Sequence, residues 1–293
     1  MLLEILSKLL SESLLSLYPI FVKYINISLG LQVWSRFFSY FIISAFFVDW
    51  PFIMKQLFSQ SGLALAIVSI IHVYVSYRGF QILESGIAYI LFYTYPLMIL
   101  LFAGKSFNPI LLLALVGVYL LSQENIENYE ETSAIENNEN NEKKIFHKKN
   151  VQEYFSYEGV LMVLLAALTE AFIYFIVRDI KTTNNWNHIF ISYTLGAILS
   201  SIYFFNEIVK LEIKGSLSAS LIINLIIGLF GYLLRFFAIS NLETTLYAFL
   251  SYFGIFMAFV YGVLINNDSI TISKIIGSFF ILMPNIYLLV SSK

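Results

Sequence analysis

Residues 62–104 read GLALAIVSIIHVYVSYRGFQILESGIAYILFYTYPLMILLFAG. Two apolar runs, 62–82 and 86–104, flank a short turn around Leu83-Glu84-Ser85. A helix that crosses a bilayer needs about 20 mostly apolar residues, and each run has about that length. With so few residues between them, the runs must form a tight antiparallel hairpin of consecutive membrane spans.

Working outward with the same ruler gives ten expected spans, at 3–25, 31–48, 62–82, 86–104, 108–122, 157–178, 187–207, 217–239, 244–265 and 272–290. The eighth and ninth form a second tight hairpin. Composition agrees, since 59% of the 293 residues are hydrophobic, 12% are charged and the mean hydropathy is +0.78. A soluble domain carries about a quarter charged residues. The net charge of −2 comes with no basic stripe, so a nucleic-acid partner is not expected. Absence of cysteine excludes disulfides, thiolate catalysis and cysteine metal sites. The first apolar stretch has neither the basic start nor the small-residue cleavage site of a signal peptide, and is expected to be the first span.

Residues 123–156 break the pattern. They are rich in Asn and Glu, with Lys143, Lys144, Lys148 and Lys149 near the end, and lack the apolar surface that folding requires. They are expected to be a disordered acidic linker between two halves, residues 1–122 and 157–293. The halves echo each other. Leu242-Glu243-Thr244 follows Leu83-Glu84-Ser85 by 159 positions, and at that offset Leu91 meets Leu250 and Tyr93 meets Tyr252. Glu12 meets Glu170 at an offset of 158, and Tyr119-Leu120-Leu121 matches Tyr287-Leu288-Leu289. Because five is odd, a second five-span unit must enter the membrane upside down. The expected fold is therefore an all-α integral membrane protein of ten helices, built as two inverted five-helix repeats. Inverted repeats are a common transporter plan, with the substrate site near the midplane between the halves. Lys and Arg in the short loops do not select an orientation by the positive-inside rule.

Several local patterns resemble the drug/metabolite transporter superfamily in its EamA-like branch. They are Tyr77-Arg78-Gly79-Phe80-Gln81-Ile82-Leu83-Glu84-Ser85-Gly86-Ile87-Ala88-Tyr89 with Tyr93-Thr94-Tyr95-Pro96, Phe237-Ala238-Ile239-Ser240-Asn241-Leu242-Glu243, and Lys274-Ile275-Ile276-Gly277-Ser278-Phe279-Phe280-Ile281-Leu282. The second copy has Gly254-Ile255 where the first has Tyr95-Pro96. The resemblance implies two inverted halves, both termini cytoplasmic, and a central cavity lined mainly by spans 1, 3, 4, 6, 8 and 9.

Ionised groups deep in a membrane cost about 2.5–3.5 kcal/mol on insertion scales, so depth selects the residues that need a role. Lys23, Arg36, Arg178 and Lys210 fall near span ends and are expected to snorkel to the interface. Glu84 and Glu243, beside Ser85 and Thr244, are expected to cap spans 4 and 9. Glu12 and Glu170 lie well inside spans 1 and 6. Glu12 shares a helix face with Ser16, Pro19 and Lys23, and Glu170 shares one with Ala167, Tyr174 and Arg178. A symmetric pair of deep carboxylates can bind protons or a cationic solute, or can act as polar packing between helices. His72, on a stripe with Ser69, Ser76 and Gly79, can relay protons or simply pack. Arg235, on a face with Asn224, Gly228 and Gly231, is a candidate for an anionic solute group. Tyr89, Tyr93 and Tyr252 are expected on the cavity wall.

The expected solute-binding set is thus Glu12, Ser16, His72, Tyr89, Tyr93, Glu170, Tyr174, Arg235 and Tyr252. No Gly-rich phosphate loop, His-Glu-x-x-His or Gly-x-Ser-x-Gly motif occurs, and neither cofactor nor metal is expected. The expected function is secondary transport of a small metabolite, such as an amino acid or related organic solute, by alternating access in a cell or inner membrane. Protons are a candidate coupling ion. An intramembrane enzyme using Glu12, Glu170 and His72, and a non-transporting scaffold or receptor, are the alternatives.

Overall fold

A computed structural model of the chain describes residues 1–18, 27–83, 85–104, 157–209, 215–266 and 272–291, with positions 21, 25, 113, 116, 117 and 120 standing singly. The expected linker at 123–156, most of the fifth span, and Pro19, Lys23, Glu84 and Lys210 lie outside the described residues. All regular structure among those described is helical. The first half contains α1 Leu2–Leu15, α2 Leu29–Ser44, α3 Trp50–Gln56, α4 Gln60–Ile82, α5 Ser85–Phe92 and α6 Tyr95–Phe102. The second contains α7 Tyr157–Asp179, α8 Asn185–Tyr203, α9 Phe205–Val209, α10 Gly215–Ile223, α11 Phe230–Asn241, α12 Thr244–Ser251, α13 Phe253–Asn266 and α14 Ile272–Ser291. A π-helical turn, Asn224–Leu229, joins α10 to α11.

Four of the helical runs are long and apolar enough to cross a membrane by length and composition: Gln60–Ile82, Tyr157–Asp179, Leu217–Asn241 and Thr244–Ile265. At about 1.5 Å per residue, 23 residues reach roughly 34 Å, a little more than the hydrocarbon thickness. The surface polarity is the reverse of a soluble protein's. On α1, Lys8, Ser11 and Glu12 are buried, while Leu2, Leu3, Leu6 and Leu10 are 52–71% exposed. On α4, Ser69, His72 and Ser76 face inward, and Leu63, Ile67, Ile71 and Tyr74 face out. Water would drive such helices to turn over, whereas a hydrocarbon surround favours apolar faces outward and polar groups paired inside. The chain is an integral membrane protein.

Local sequence sets the helix boundaries. Ser28 and Ser59 cap α2 and α4 by accepting from the Leu31 and Gly62 amides at 3.2 and 3.0 Å, and Asn184 caps α8 by accepting from Trp186 at 3.1 Å. The sequence predicts an unbroken first span over 3–25. The structure instead ends α1 at Leu15 and places a turn at Ser16–Leu17. Pro19 has no amide hydrogen to offer the Leu15 carbonyl. The expected fourth and ninth spans are each two helices. α5 breaks from α6 at Tyr93–Thr94, ahead of Pro96, and α12 breaks from α13 at Tyr252. The seventh breaks at Phe204 between α8 and α9.

Equivalent points of the two halves share geometry. Leu83 ends α4 with φ −87° and ψ 152°, and Leu242 ends α11 with φ −87° and ψ 148°. The breaks at Tyr93 and Tyr252 stand at the same offset as these two leucines. Helix pairing follows the same exchange. α1 packs on α11, and α4 packs on α7; α2 packs on α8, and α6 on α12. Swapping the halves turns the first pair into the second and returns the α2–α8 pair to itself.

Contacts at the helix ends give direction. One end joins Ser61 to Asp179, the Asn184 amide to the Phe47 carbonyl (2.8 Å), and Arg178 to the Leu242 carbonyl (3.2 Å). The opposite end joins Ser28 to Glu207 (2.7 Å) and Arg78 to Glu158 (3.0 Å). α2 therefore runs towards the first end, and α8 with α9, its counterpart, runs away from it. α4 runs away from that end, and the run through α11 returns to it.

Candidate functional site

At the centre of the bundle, three helices contribute one ion cluster. Lys8 and Glu12 lie one turn apart on α1, the spacing at which helical side chains meet, and Lys8 Nζ donates to Glu12 Oε1 at 2.5 Å. Arg235 of α11 forks between the halves. Its Nη2 donates to Glu12 Oε1 at 2.9 Å, and its Nη1 to Glu170 Oε1 of α7 at 2.6 Å. Glu12 also accepts from the hydroxyls of Tyr93 (3.0 Å) and Tyr95 (3.3 Å). Lys8 Nζ sits 3.6 Å from the centroid of the Tyr247 ring, a cation–π contact. None of the four charged residues is more than 2% exposed. Two cations and two carboxylates balance, which is the condition under which buried charge is tolerable.

His72 of α4 adjoins the cluster. Its Nδ1 meets Thr169 Oγ1 at 3.1 Å and the Ala166 carbonyl at 3.2 Å, and its Nε2 meets the Tyr232 hydroxyl at 3.2 Å. Glu170 Oε2 lies 3.3 Å from that Nε2 but receives no hydrogen bond, so one buried carboxylate oxygen has no donor among the described residues.

Beside the cluster lies a cavity with about 40 Å³ of room for water centres, several times the roughly 10–15 Å³ that one water requires. Its wall includes Leu15, Tyr18, Arg36, His72, Ser76, Tyr77, Tyr89, Tyr93, Tyr232 and Arg235. Here one expectation fails. Arg36 does not snorkel: it is 3% exposed and surrounded by the rings of Tyr18, Tyr40, Tyr77, Tyr193 and Tyr232, at 4.7–5.8 Å from their centroids. Its Nη2 donates to the Tyr193 hydroxyl at 3.1 Å, and its Nε has no partner. Sequence position alone put Arg36 near a span end, but α2 packs between α8 and α10 there, so its guanidinium meets protein rather than the interface.

Of the expected solute ligands, the structure gathers Glu12, Glu170, Arg235, His72 and Tyr93 into one network. Tyr89 lines the cavity and donates to the Ser16 carbonyl, while the Ser16 hydroxyl turns back to the Ser13 carbonyl at 2.9 Å. Tyr174 stands apart from the cavity wall. Its hydroxyl donates to Thr244 Oγ1 at 2.9 Å and accepts from Arg178 at 2.6 Å. Tyr252 is buried at the α12–α13 break, with no partner for its hydroxyl among the described residues, and is not on the cavity wall. Glu243 sits at the N-cap position of α12 but makes no side-chain cap, and accepts instead from Thr245 Oγ1 at 3.4 Å.

Sequence reasoning missed Lys8 and the tyrosine ring. The four-residue spacing from Lys8 to Glu12 was a usable signal. The ring was not readable, since its tyrosines come from five separate segments. Asn224, at the start of the π turn, holds two of them: its Oδ1 accepts from the hydroxyls of Tyr77 (3.0 Å) and Tyr18, and its Nδ2 donates to Ser35 at 2.9 Å. Two glycines make room for hydroxyls. A Cβ on Gly228 would collide with those of Tyr18 and Tyr40, and one on Gly254 with that of Tyr93 where it bonds Glu12.

Residues 157–289 match the model of the EamA-like transporter family. Over that stretch the chain is similar to the EamA-like transporter family. That family lies within the drug/metabolite transporter superfamily. The matched stretch supplies Glu170 and Arg235, two of the four charged residues of the central cluster. No curated protein matches the sequence. A solved crystal structure of a protein superimposes with a TM-score of 0.65 at 15% identity, covering 97% of this chain and 95% of that one. The likeness is one of fold and spans nearly the whole of both chains.

Proposed function

We propose that this EamA-like protein is a secondary transporter that moves a small organic solute by alternating access. Two inverted five-helix repeats, residues 1–122 and 157–293, rock about the central cavity, joined by the acidic stretch at 123–156, with both termini cytoplasmic. The opposed directions of α2 and α8 and the exchange symmetry of the helix pairs support this arrangement.

One observation carries the proposal. Each half places one deep carboxylate, Glu12 or Glu170, on the same guanidinium, that of Arg235. Arg235 and Glu170 belong to the second half, so the Arg235–Glu12 bond latches the seam, and the halves separate there only if Arg235 gives up Glu12. A proton on that carboxylate, or a solute group in its place, provides the exchange, so proton coupling is part of the proposal.

The test is solute flux into proteoliposomes, with amino acids, amphipathic amines and phosphorylated metabolites each offered with and without a pH gradient. Wild type should carry at least one class, and Glu12→Gln and Glu170→Gln should lower its flux and flatten the response to the gradient. Flux and pH response equal to wild type in both variants would remove the carboxylates from the mechanism.

A further inference from the structure

The ion cluster closes on itself, and Arg36 is left out of it. Lys8 and Arg235 balance Glu12 and Glu170. Arg36 is equally deep and lines the same cavity, yet among the described residues no carboxylate pairs with it. A buried cation without a counter-charge is costly. The tyrosines supply ring faces and accepting hydroxyls, which solvate the cation in part but bring no negative charge. Its Nε remains unbonded. The seat itself is built. Asn224 engages the hydroxyls of Tyr18 and Tyr77 as donors, fixing both rings around the guanidinium, and Gly228 admits the hydroxyls of Tyr18 and Tyr40.

Resting on the transporter reading above, we propose that Arg36 and its tyrosine ring form the seat for the carboxylate of a small organic acid or carboxylate-bearing solute. The charge count favours a monoanionic group. One negative charge neutralises the one unmatched cation, whereas a doubly charged phosphate would leave the core negative. The planar guanidinium offers a carboxylate paired donors. The apolar cavity wall, including Leu15, Phe80 and Phe92, suits a short carbon skeleton.

The test is binding rather than flux, so that its failure is separable from failure of the transporter reading. The full chain in lipid nanodiscs is melted with sodium propionate, propionamide, or inorganic phosphate at matched ionic strength. Propionate should raise the melting midpoint saturably, and the isosteric propionamide and phosphate should not. In Arg36→Gln the apparent affinity for propionate should fall at least about tenfold, the scale of a lost charged hydrogen bond. Arg36→Lys, which keeps the charge and guards against misfolding, should bind more weakly than wild type but more tightly than Arg36→Gln. Ligand-free Arg36→Met should melt at or above wild type, since it removes an unmatched charge. Equal stabilisation by propionamide, propionate binding unchanged in Arg36→Gln, or a large fall in the midpoint of Arg36→Met would overturn the proposal. Flux that persists in a protein without propionate binding would sink the carboxylate seat alone, and binding without flux would sink transport alone.

Discussion

Charge balance in the central cluster is open to a direct test through Lys8. Lys8→Met removes one of the four donors to Glu12, leaving Arg235, Tyr93 and Tyr95. It also changes the cluster from neutral to a net charge of −1, at a place where neither Lys8 nor Glu12 exposes any surface. Breaking a buried ion pair by deleting one partner costs about 3–5 kcal/mol. At about 2–4 °C per kcal/mol for a chain approaching this size, the midpoint should fall by roughly 6–20 °C. The double variant Lys8→Met with Glu12→Gln restores neutrality, since Arg235 then faces Glu170 alone. It should be more stable than the sum of the two single changes by about 0.5–3 kcal/mol, the usual coupling of contacting groups. Thermal melting in one detergent, followed by intrinsic fluorescence, reads all four proteins. A Lys8→Met protein that melts within about 2 °C of wild type, or single effects that simply add in the double, would refute the argument from neutrality.

Gly254→Ala should lower the midpoint by the equivalent of about 1–3 kcal/mol, because its methyl group meets the Tyr93 hydroxyl. Adding Tyr93→Phe should return part of that loss, since the ring carbon behind the hydroxyl still crowds the methyl group, and an equally unstable double variant would show that the crowding lies elsewhere. Arg78→Ala provides the contrast. Its ion pair with Glu158 has side chains 40% and 51% exposed, so the stability measured in the same melt should stay within about 0.5 kcal/mol of wild type.

Much of the membrane architecture was legible in the residues. The hairpins at Leu83 and Leu242 follow from apolar runs separated by only three or four positions, and their matching offset anticipated backbone angles that agree within a few degrees. Hydropathy could not show where a span breaks. Tyr93–Thr94 and Tyr252 interrupt runs that stay apolar throughout, because a missing proline donor or a glycine alters backbone hydrogen bonding without altering polarity.

The depth of Glu12 and Glu170 within their spans was fixed by counting along the sequence, and so was their equivalence under the repeat. Their common partner was not. Arg235 lies 65 residues from Glu170 and 223 from Glu12, and only the packing of α11 between α1 and α7 brings the three together. Arg36 shows the same division more sharply. Its distance from a span end was readable and suggested the interface. What surrounds a side chain, however, depends on which helices cross beside it, and five tyrosines from separate segments decided that Arg36 is buried. The sequence determined that charge would lie within the membrane, because hydropathy and helical period are local properties. Which charges are matched, and which one is buried without a carboxylate among the described residues, is settled by contacts between distant segments, and only the tertiary structure decides those.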